Sequence, residues 1–415
     1  MEETAILLLA AIVCGLYLAW SIGANDAANS IGTVVGSKSL RIGQAIVLAV
    51  LFEFAGALLA GHGVSQTIQR GIVDPSQFAA NPMQFAQGMV MALLATALWL
   101  QFSSRQGIPV STTHSIVGGV CGFALVALGT SAVHWHVVGS IVASWFLSPL
   151  LGAGTAFALF LLIRRLLLYS SCTKQSLRRY VPVLVILVLG VVLPLGLGKT
   201  LVALLGYWPA VSFCVVVFCL AMLLSRLLLD RYLSQSQRTF ASPTALVERV
   251  FARLQVLTVS SLAFAHGSND VANAVGPIAA VVHVTQFRQV TAFAVVPWWL
   301  LAMGGVGIAV GLATYGRRVI ATVGSNITRM TPTRGFCAEF ATAITTLLGS
   351  RLGLPLSSTQ VLVGAIIGVG LARGVTGLNS QVIRRIARSW IFSLPATAIL
   401  SAALFVLLRF AMQFV

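Results

Sequence analysis

The chain has 415 residues, 58% of them hydrophobic and only 8% charged, with a mean hydropathy of +0.96. That is more apolar surface than a soluble core of this length uses, which excludes a water-soluble globular protein and makes a lipid bilayer the expected solvent. The net charge of +17 comes from basic residues in short clusters between apolar runs; with no continuous stripe, it argues against nucleic acid as a partner and points to membrane topology.

The N-terminal "MEET" is acidic, so the first apolar run is expected to stay attached as a helix and not to be removed as a signal peptide. About twelve hydrophobic segments follow in chain order, near 4–22, 40–60, 84–101, 111–130, 136–168, 181–198, 209–229, 250–266, 286–312, 335–349, 355–372 and 381–412. The fold class they predict is an all-α polytopic membrane protein. Most of the 26 Lys and Arg residues fall after odd-numbered segments, among them Lys38, Arg41, Arg105, Arg164, Arg238, Arg317, Arg318 and Arg384. By the positive-inside rule those loops are cytoplasmic, and both termini face outward from the cell's inner (plasma) membrane. The exceptions are Arg70, Lys199, Arg288, Arg351 and Arg409. The six cysteines show no metal or disulfide spacing and read as small packing residues.

Two pairs of stretches repeat. "SIGANDAANSIG" (21–32) returns as "AHGSNDVANAVG" (265–276), and "SRQGIPVSTTHSIVGG" (104–119) returns as "SRLGLPLSSTQVLVGA" (350–365). The chain therefore divides into a first repeat (1–168), two linking helices with basic loops (169–245) and a second repeat (246–415). An odd number of segments separates the start of one unit from the start of the next, so the second copy is expected to lie inverted in the membrane. Re-entrant hairpins at segments 3–4 and 10–11 would not alter that parity. Inverted repeats with interrupted segments at matching places point to a secondary transporter with its site near the midplane, although channels can share the architecture.

Four acids fall inside apolar segments: Asp26, Glu53, Asp270 and Glu339. An ionisable group at the bilayer centre costs about 3 kcal/mol or more, so each needs a partner, and no Lys or Arg lies deep in the neighbouring runs. A bound hard cation fits. Asp26 with Asn25 and Asn29, and Asp270 with Asn269 and Asn273, supply carboxylate and amide oxygens, while adjacent glycines are expected to let the helix unwind. The plainer alternative is that these groups only join helices by hydrogen bonds. In "PVSTTH" and "PLSSTQ", Pro precedes hydroxyls that open a helix, predicted to start near Ser111 and Ser357. Unpaired N–H groups and hydroxyls there make an anion cradle, unless they are simple N-caps. Arg105 and Arg351 precede these loops, as attractors of an anion or as membrane-edge anchors. His114 reads as a hydrogen-bonded helix residue and Trp298 and Trp299 as interface or packing aromatics.

The paired "GANDAANS" and "GSNDVANA", with "GIPVSTTHSIVGG", "GLPLSSTQVLVGA" and "RMTPTRGFCAEFATA" (329–343), closely resemble the signatures of the inorganic phosphate transporter (PiT) family over nearly the whole chain. The resemblance implies a bacterial symporter, not an enzyme, that couples inorganic phosphate to Na⁺ or H⁺, with helical hairpins carrying the Ser-Thr loops and a homodimer as the assembly. It implies that Ser111, Thr112, Thr113, Ser357, Ser358 and Thr359 contact phosphate, together with Asn25 and Asn269. Asp26, Asn29, Asp270 and Asn273 resemble the polar residues of the broken helices that hold cations, and Glu53 and Glu339 match acids of the transport core. No cofactor beyond the coupling cation is expected. Gln360 departs from the family's usual His, and "GSND" from the commoner "GAND". Rival readings are a sulfate or other tetrahedral-oxyanion permease of the same fold, an anion channel, and a membrane enzyme, for which no nucleophile–base pair is evident.

Overall fold

The computed structural model describes the chain except residues 1, 62–63, 66, 69–70, 236–241, 291–295, 317–319, 321–327, 375–377 and 414–415. Arg70, Arg238, Arg317 and Arg318 therefore lie outside the described residues. In hydrocarbon each backbone group must find its partner within its own segment, so apolar runs become helices. Among the described residues the only β pairing is one antiparallel bridge, Val73 to Val133.

Helix α1 (Glu2–Ile22) passes through a π-helical turn (Gly23–Ala27) into α2 (Ala28–Gly36), followed by α3 (Ile42–Ala60). A pair comes next, α4 (Pro82–Arg105) and α5 (Thr112–Leu128), then the long α6 (Trp135–Ile163). The link is α7 (Thr173–Val192), α8 (Gly198–Leu205) and α9 (Tyr207–Gln235). The second half holds α10 (Pro243–Phe287), α11 (Trp298–Tyr315), the pair α12 (Pro332–Arg351) and α13 (Ser358–Leu371), and α14 (Ser380–Ala411). Eight helical spans among the described residues are long and apolar enough to cross a membrane. The remaining predicted segments are accounted for by α10 and α12, which carry many polar residues, and by α5 and α13, which at 17 and 14 residues are shorter than the ~20 a crossing requires.

Both short helices are entered through the same turn. After α4, Gly107 takes φ 63° and the Ile108 N–H donates to Ser103 O at 3.1 Å; after α12, Gly353 takes φ 70° and the Leu354 N–H donates to Gly349 O at 2.9 Å. A residue with a Cβ is disfavoured at that left-handed position, which is why "QGIP" and "LGLP" hold glycine there. The two hairpins then pack crosswise on the long helices. A Cβ at Gly118 or Gly122 of α5 would lie 2.3 Å from Leu394 O and 2.1 Å from Ala398 O of α14. Reciprocally, a Cβ at Gly364 or Gly368 of α13 would lie 2.3 Å from Pro149 O and 2.1 Å from Ala153 O of α6. Small residues spaced by four let backbones touch where lipid supplies no hydrophobic drive. Gly368→Leu is therefore expected to lower the melting temperature in detergent markedly, overpacking costing about 1–3 kcal/mol even where neighbours can yield. Gly139→Leu, whose Cβ would meet nothing within 4 Å, should leave it unchanged; equal melting of the two variants would refute this packing account.

The expectation of two broken helices needs correction. The first Asp-Asn motif does sit on the π-helical turn, but the second lies inside the unbroken α10, which runs on through residue 266 to Phe287. Its glycine serves contact instead of unwinding: a Cβ at Gly267 would lie 2.0 Å from Glu53 O of α3, just as one at Gly23 would lie 1.9 Å from Ile308 O of α11.

Candidate functional site

Ser111 and Ser357 cap α5 and α13, each hydroxyl accepting from the backbone N–H three residues on, His114 at 3.2 Å and Gln360 at 3.3 Å. Capping with an extended backbone turns the next hydroxyls inward. Thr112 donates both its N–H (3.2 Å) and its hydroxyl to Asp26 Oδ2. The helix-start donors thus hold an anion, and in this structure the anion is the Asp26 carboxylate.

From the opposite hairpin, Thr359 donates to Asp26 Oδ1 at 3.1 Å and accepts from Asn29 Nδ2 at 3.0 Å, while Ser358 donates to Asp270 Oδ2 at 2.8 Å. Thr113 (3.1 Å) and Asn269 (2.8 Å) both donate to Leu356 O, and Asn269 also donates to Asp270 Oδ1 at 2.7 Å. Asn25 accepts from the Val110 N–H at 3.1 Å and donates to Ser104 at 2.9 Å and to Ile108 O. Residues from opposite ends of the chain, the two Asp-Asn motifs and the two hydroxyl loops, therefore form one buried cluster, with Asp26 3% and Asp270 1% exposed.

The sequence reading missed a residue at its centre. His266 Nε2 lies 2.6 Å from Asp270 Oδ2, and Nδ1 lies 3.2 Å from Glu53 Oε1, all three side chains being buried. Two of the four acids thus face a base supplied by the protein, so a bound ion is not the sole partner of Glu53 and Asp270. A signal was available, because His266 stands four residues before Asp270 and so on the same helix face. Its counterpart in the first unit is Ile22, which makes the two halves chemically unequal. Ser30 adds a hydrogen bond to Glu53 at 3.3 Å.

Glu339 lies in a separate, fully hydrogen-bonded nest. Its Oε1 accepts from Thr33 (2.6 Å) and Gln255 (2.7 Å), and its Oε2 from Thr258 (2.6 Å). Gln255 in turn accepts from Ser37 and Ser39, linking the nest to the loop after α2.

Other buried atoms stand without a hydrogen-bond partner among the described residues, among them both amide atoms of Asn273, Asn29 Oδ1 and Glu53 Oε2. Buried polar groups are rarely left so, and each calls for a partner such as a water or an ion. The free oxygens of Asn29, Asn273 and Glu53, beside Asp26 and Asp270, are hard donors suited to an alkali or alkaline-earth ion. Among the described residues no three His, Cys, Asp or Glu side chains group so as to hold a metal ion. His114 is a packing residue, stacked on Trp145 with centroids 3.5 Å apart and its Nδ1 3.1 Å from Trp390 O. Trp298 and Trp299 are exposed, Arg105 is exposed at the end of α4, and the cysteines are free.

Comparison with known proteins identifies a family and a fold. The model of the phosphate transporter family matches residues 22–401. A candidate phosphate permease of Haemophilus influenzae is 43% identical over 411 residues, covering 96% of this chain and 95% of that one. Another, of Pyrococcus abyssi, is 42% identical over 406 residues, covering 97% and 98%. Among solved structures, one described as the sodium-dependent phosphate transporter superposes with a TM-score of 0.89 at 39% identity, covering 98% of this chain and 99% of that one.

Proposed function

The chain belongs to the phosphate transporter family, and from that premise we propose that it carries inorganic phosphate across the membrane in symport with Na⁺ by alternating access. The observation that carries the reading is the convergence of both hydroxyl loops on Asp26 and Asp270, next to unpartnered amide oxygens. A phosphate charge ~4 Å from a bare carboxylate is repelled by about 4 kcal/mol at the dielectric of a partly buried site. A cation held by Asp26, Asp270, Asn29 and Asn273 offsets that repulsion. It also takes over the carboxylate oxygens, so that Thr112, Ser358 and Thr359 can turn their donors to the oxyanion. Ser111, Thr113, Ser357, Asn25 and Asn269 hold the loops that present those donors; Glu53 is a further cation-side acid, whereas Glu339, satisfied by Thr33, Gln255 and Thr258, is a structural acid of the core. Each ligand then raises the other's affinity, which is the physical basis of coupling.

The likeness to a solved sodium-dependent phosphate transporter supports Na⁺ as the driving ion. One observation favours a proton-coupled alternative, the His266 imidazole between Glu53 and Asp270, which can take up and release a proton. Uptake into proteoliposomes under separately imposed Na⁺ and pH gradients tests the two: accumulation driven by the Na⁺ gradient alone is expected, and accumulation only under the pH gradient would overturn it.

The proposal includes an inverted arrangement of residues 1–168 and 246–415 about a link at 169–245, supported by the reciprocal glycine contacts of the two hairpins. It also places the protein in the plasma membrane with both termini outside, as a homodimer. Thr112→Val and Ser358→Ala are expected to weaken phosphate affinity about tenfold or more, the worth of a hydrogen bond to a charged group. The Na⁺ dependence should change far less. Equal loss of phosphate and Na⁺ dependence, followed by isotope uptake, would reduce the loops to helix caps.

A further inference from the structure

Where the ends of α3 and α12 meet the linking helix α8, a cleft of about 490 Å³ opens beside the site, lined among others by Lys199, Thr200, Ser268, Ser350 and Arg351. We propose that this cleft is a docking vestibule in which an oxyanion, phosphate on the reading above, is collected by Lys199 and Arg351 before it enters the site.

Four observations carry the proposal. The cleft borders the site, since Ser350 on its wall donates to Asn269 Oδ1 at 3.4 Å and Asn269 is bonded to Asp270 at 2.7 Å. Its two cations share a rim: the Arg351 guanidinium reaches to 3.5 Å from where a Cβ of Gly198 would stand, next to Lys199. Neither cation is paired with a carboxylate among the described residues, the ion pairs there being formed by His134, Arg178 and His266. Finally, both are among the few basic residues on the face that the positive-inside distribution leaves poor in charge, so their placement works against topology and calls for a separate reason.

The chemistry suits transit. Arg offers a planar fork to a tetrahedral oxyanion and Lys a mobile point charge. Lys199 is exposed and Arg351 half-buried, so neither cation is locked in place and the ion is held loosely enough to move on. The Leu58, Leu59 and Leu347 walls are apolar and focus the field of the two cations on the opening. Lys199 stands on a linking helix that the duplicated units do not contain, so the vestibule serves one side of the carrier.

The test is the initial rate of labelled inorganic phosphate uptake by reconstituted protein, at fixed Na⁺ and with ionic strength varied by choline chloride. The double variant Lys199→Gln, Arg351→Gln is expected to show KM raised about tenfold at low ionic strength, the lower end of electrostatic steering effects, with the loss confined to KM. Its KM should no longer climb with salt as that of the unmodified protein does. Lys199→Arg should restore KM, and Lys199→Glu should raise it beyond Lys199→Gln. A KM and salt slope equal to those of the unmodified protein would overturn the vestibule alone, as would an equal fall of kcat, which marks a structural anchor. Absence of phosphate uptake by the unmodified protein would overturn the functional reading with it.

Discussion

Asp270→Asn is expected to abolish coupled phosphate uptake while the protein still inserts and remains monodisperse, and Asp26→Asn to do the same. The amide keeps the volume of the carboxylate and can still accept from Thr112 or Ser358, so the hairpins keep their seats. What is lost is the negative charge that attracts a cation to the free oxygens of Asn29 and Asn273. Removing one member of a buried charge pair costs 2–5 kcal/mol, so uptake at limiting Na⁺ should fall by about a hundredfold or more. Normal uptake by a well-expressed Asp270→Asn protein would rule out a cation role for that residue.

His266→Gln should be the most damaging single change to stability in the core. The ring stands between Glu53 and Asp270, and no Lys or Arg among the described residues pairs with either acid. Without the ring two buried carboxylates are left with no counter-charge, at a cost of roughly 3–5 kcal/mol. Glu53→Gln removes one of the stranded charges, so the double variant His266→Gln, Glu53→Gln should melt higher in detergent than His266→Gln alone. Such non-additivity is the signature of direct interaction. Simple addition of the two losses would show that the imidazole and the carboxylate act independently.

Much of this architecture was legible in the sequence, because the bilayer imposes long apolar runs and leaves a polar interruption nowhere to hide. The starts of α5 and α13 could be read from "PVST" and "PLSS", since Pro followed by Ser fixes a helix N-terminus locally. The four buried acids were equally plain. Their partners were not, because those partners come from remote segments. Glu339 is satisfied by Thr33, Gln255 and Thr258, and Glu53 faces His266; only the fold brings these positions together. The neutralising group is neither Lys nor Arg but the histidine one turn before Asp270. The glycines flanking the motifs were read as points of unwinding, whereas Gly267 lies flat on the backbone of Glu53 inside a continuous helix. A glycine that permits a bend and one that permits contact look alike until the neighbouring helix is known.

The central claim is that anion and cation share one pocket built from both halves of the chain. Equilibrium binding of labelled phosphate to the purified protein, titrated against Na⁺ with choline holding ionic strength constant, tests it most directly. Saturating Na⁺ should tighten phosphate binding about 5–150-fold, and saturating phosphate should tighten Na⁺ binding by the same factor, as linkage requires. A phosphate affinity indifferent to Na⁺ and other cations alike would contradict it.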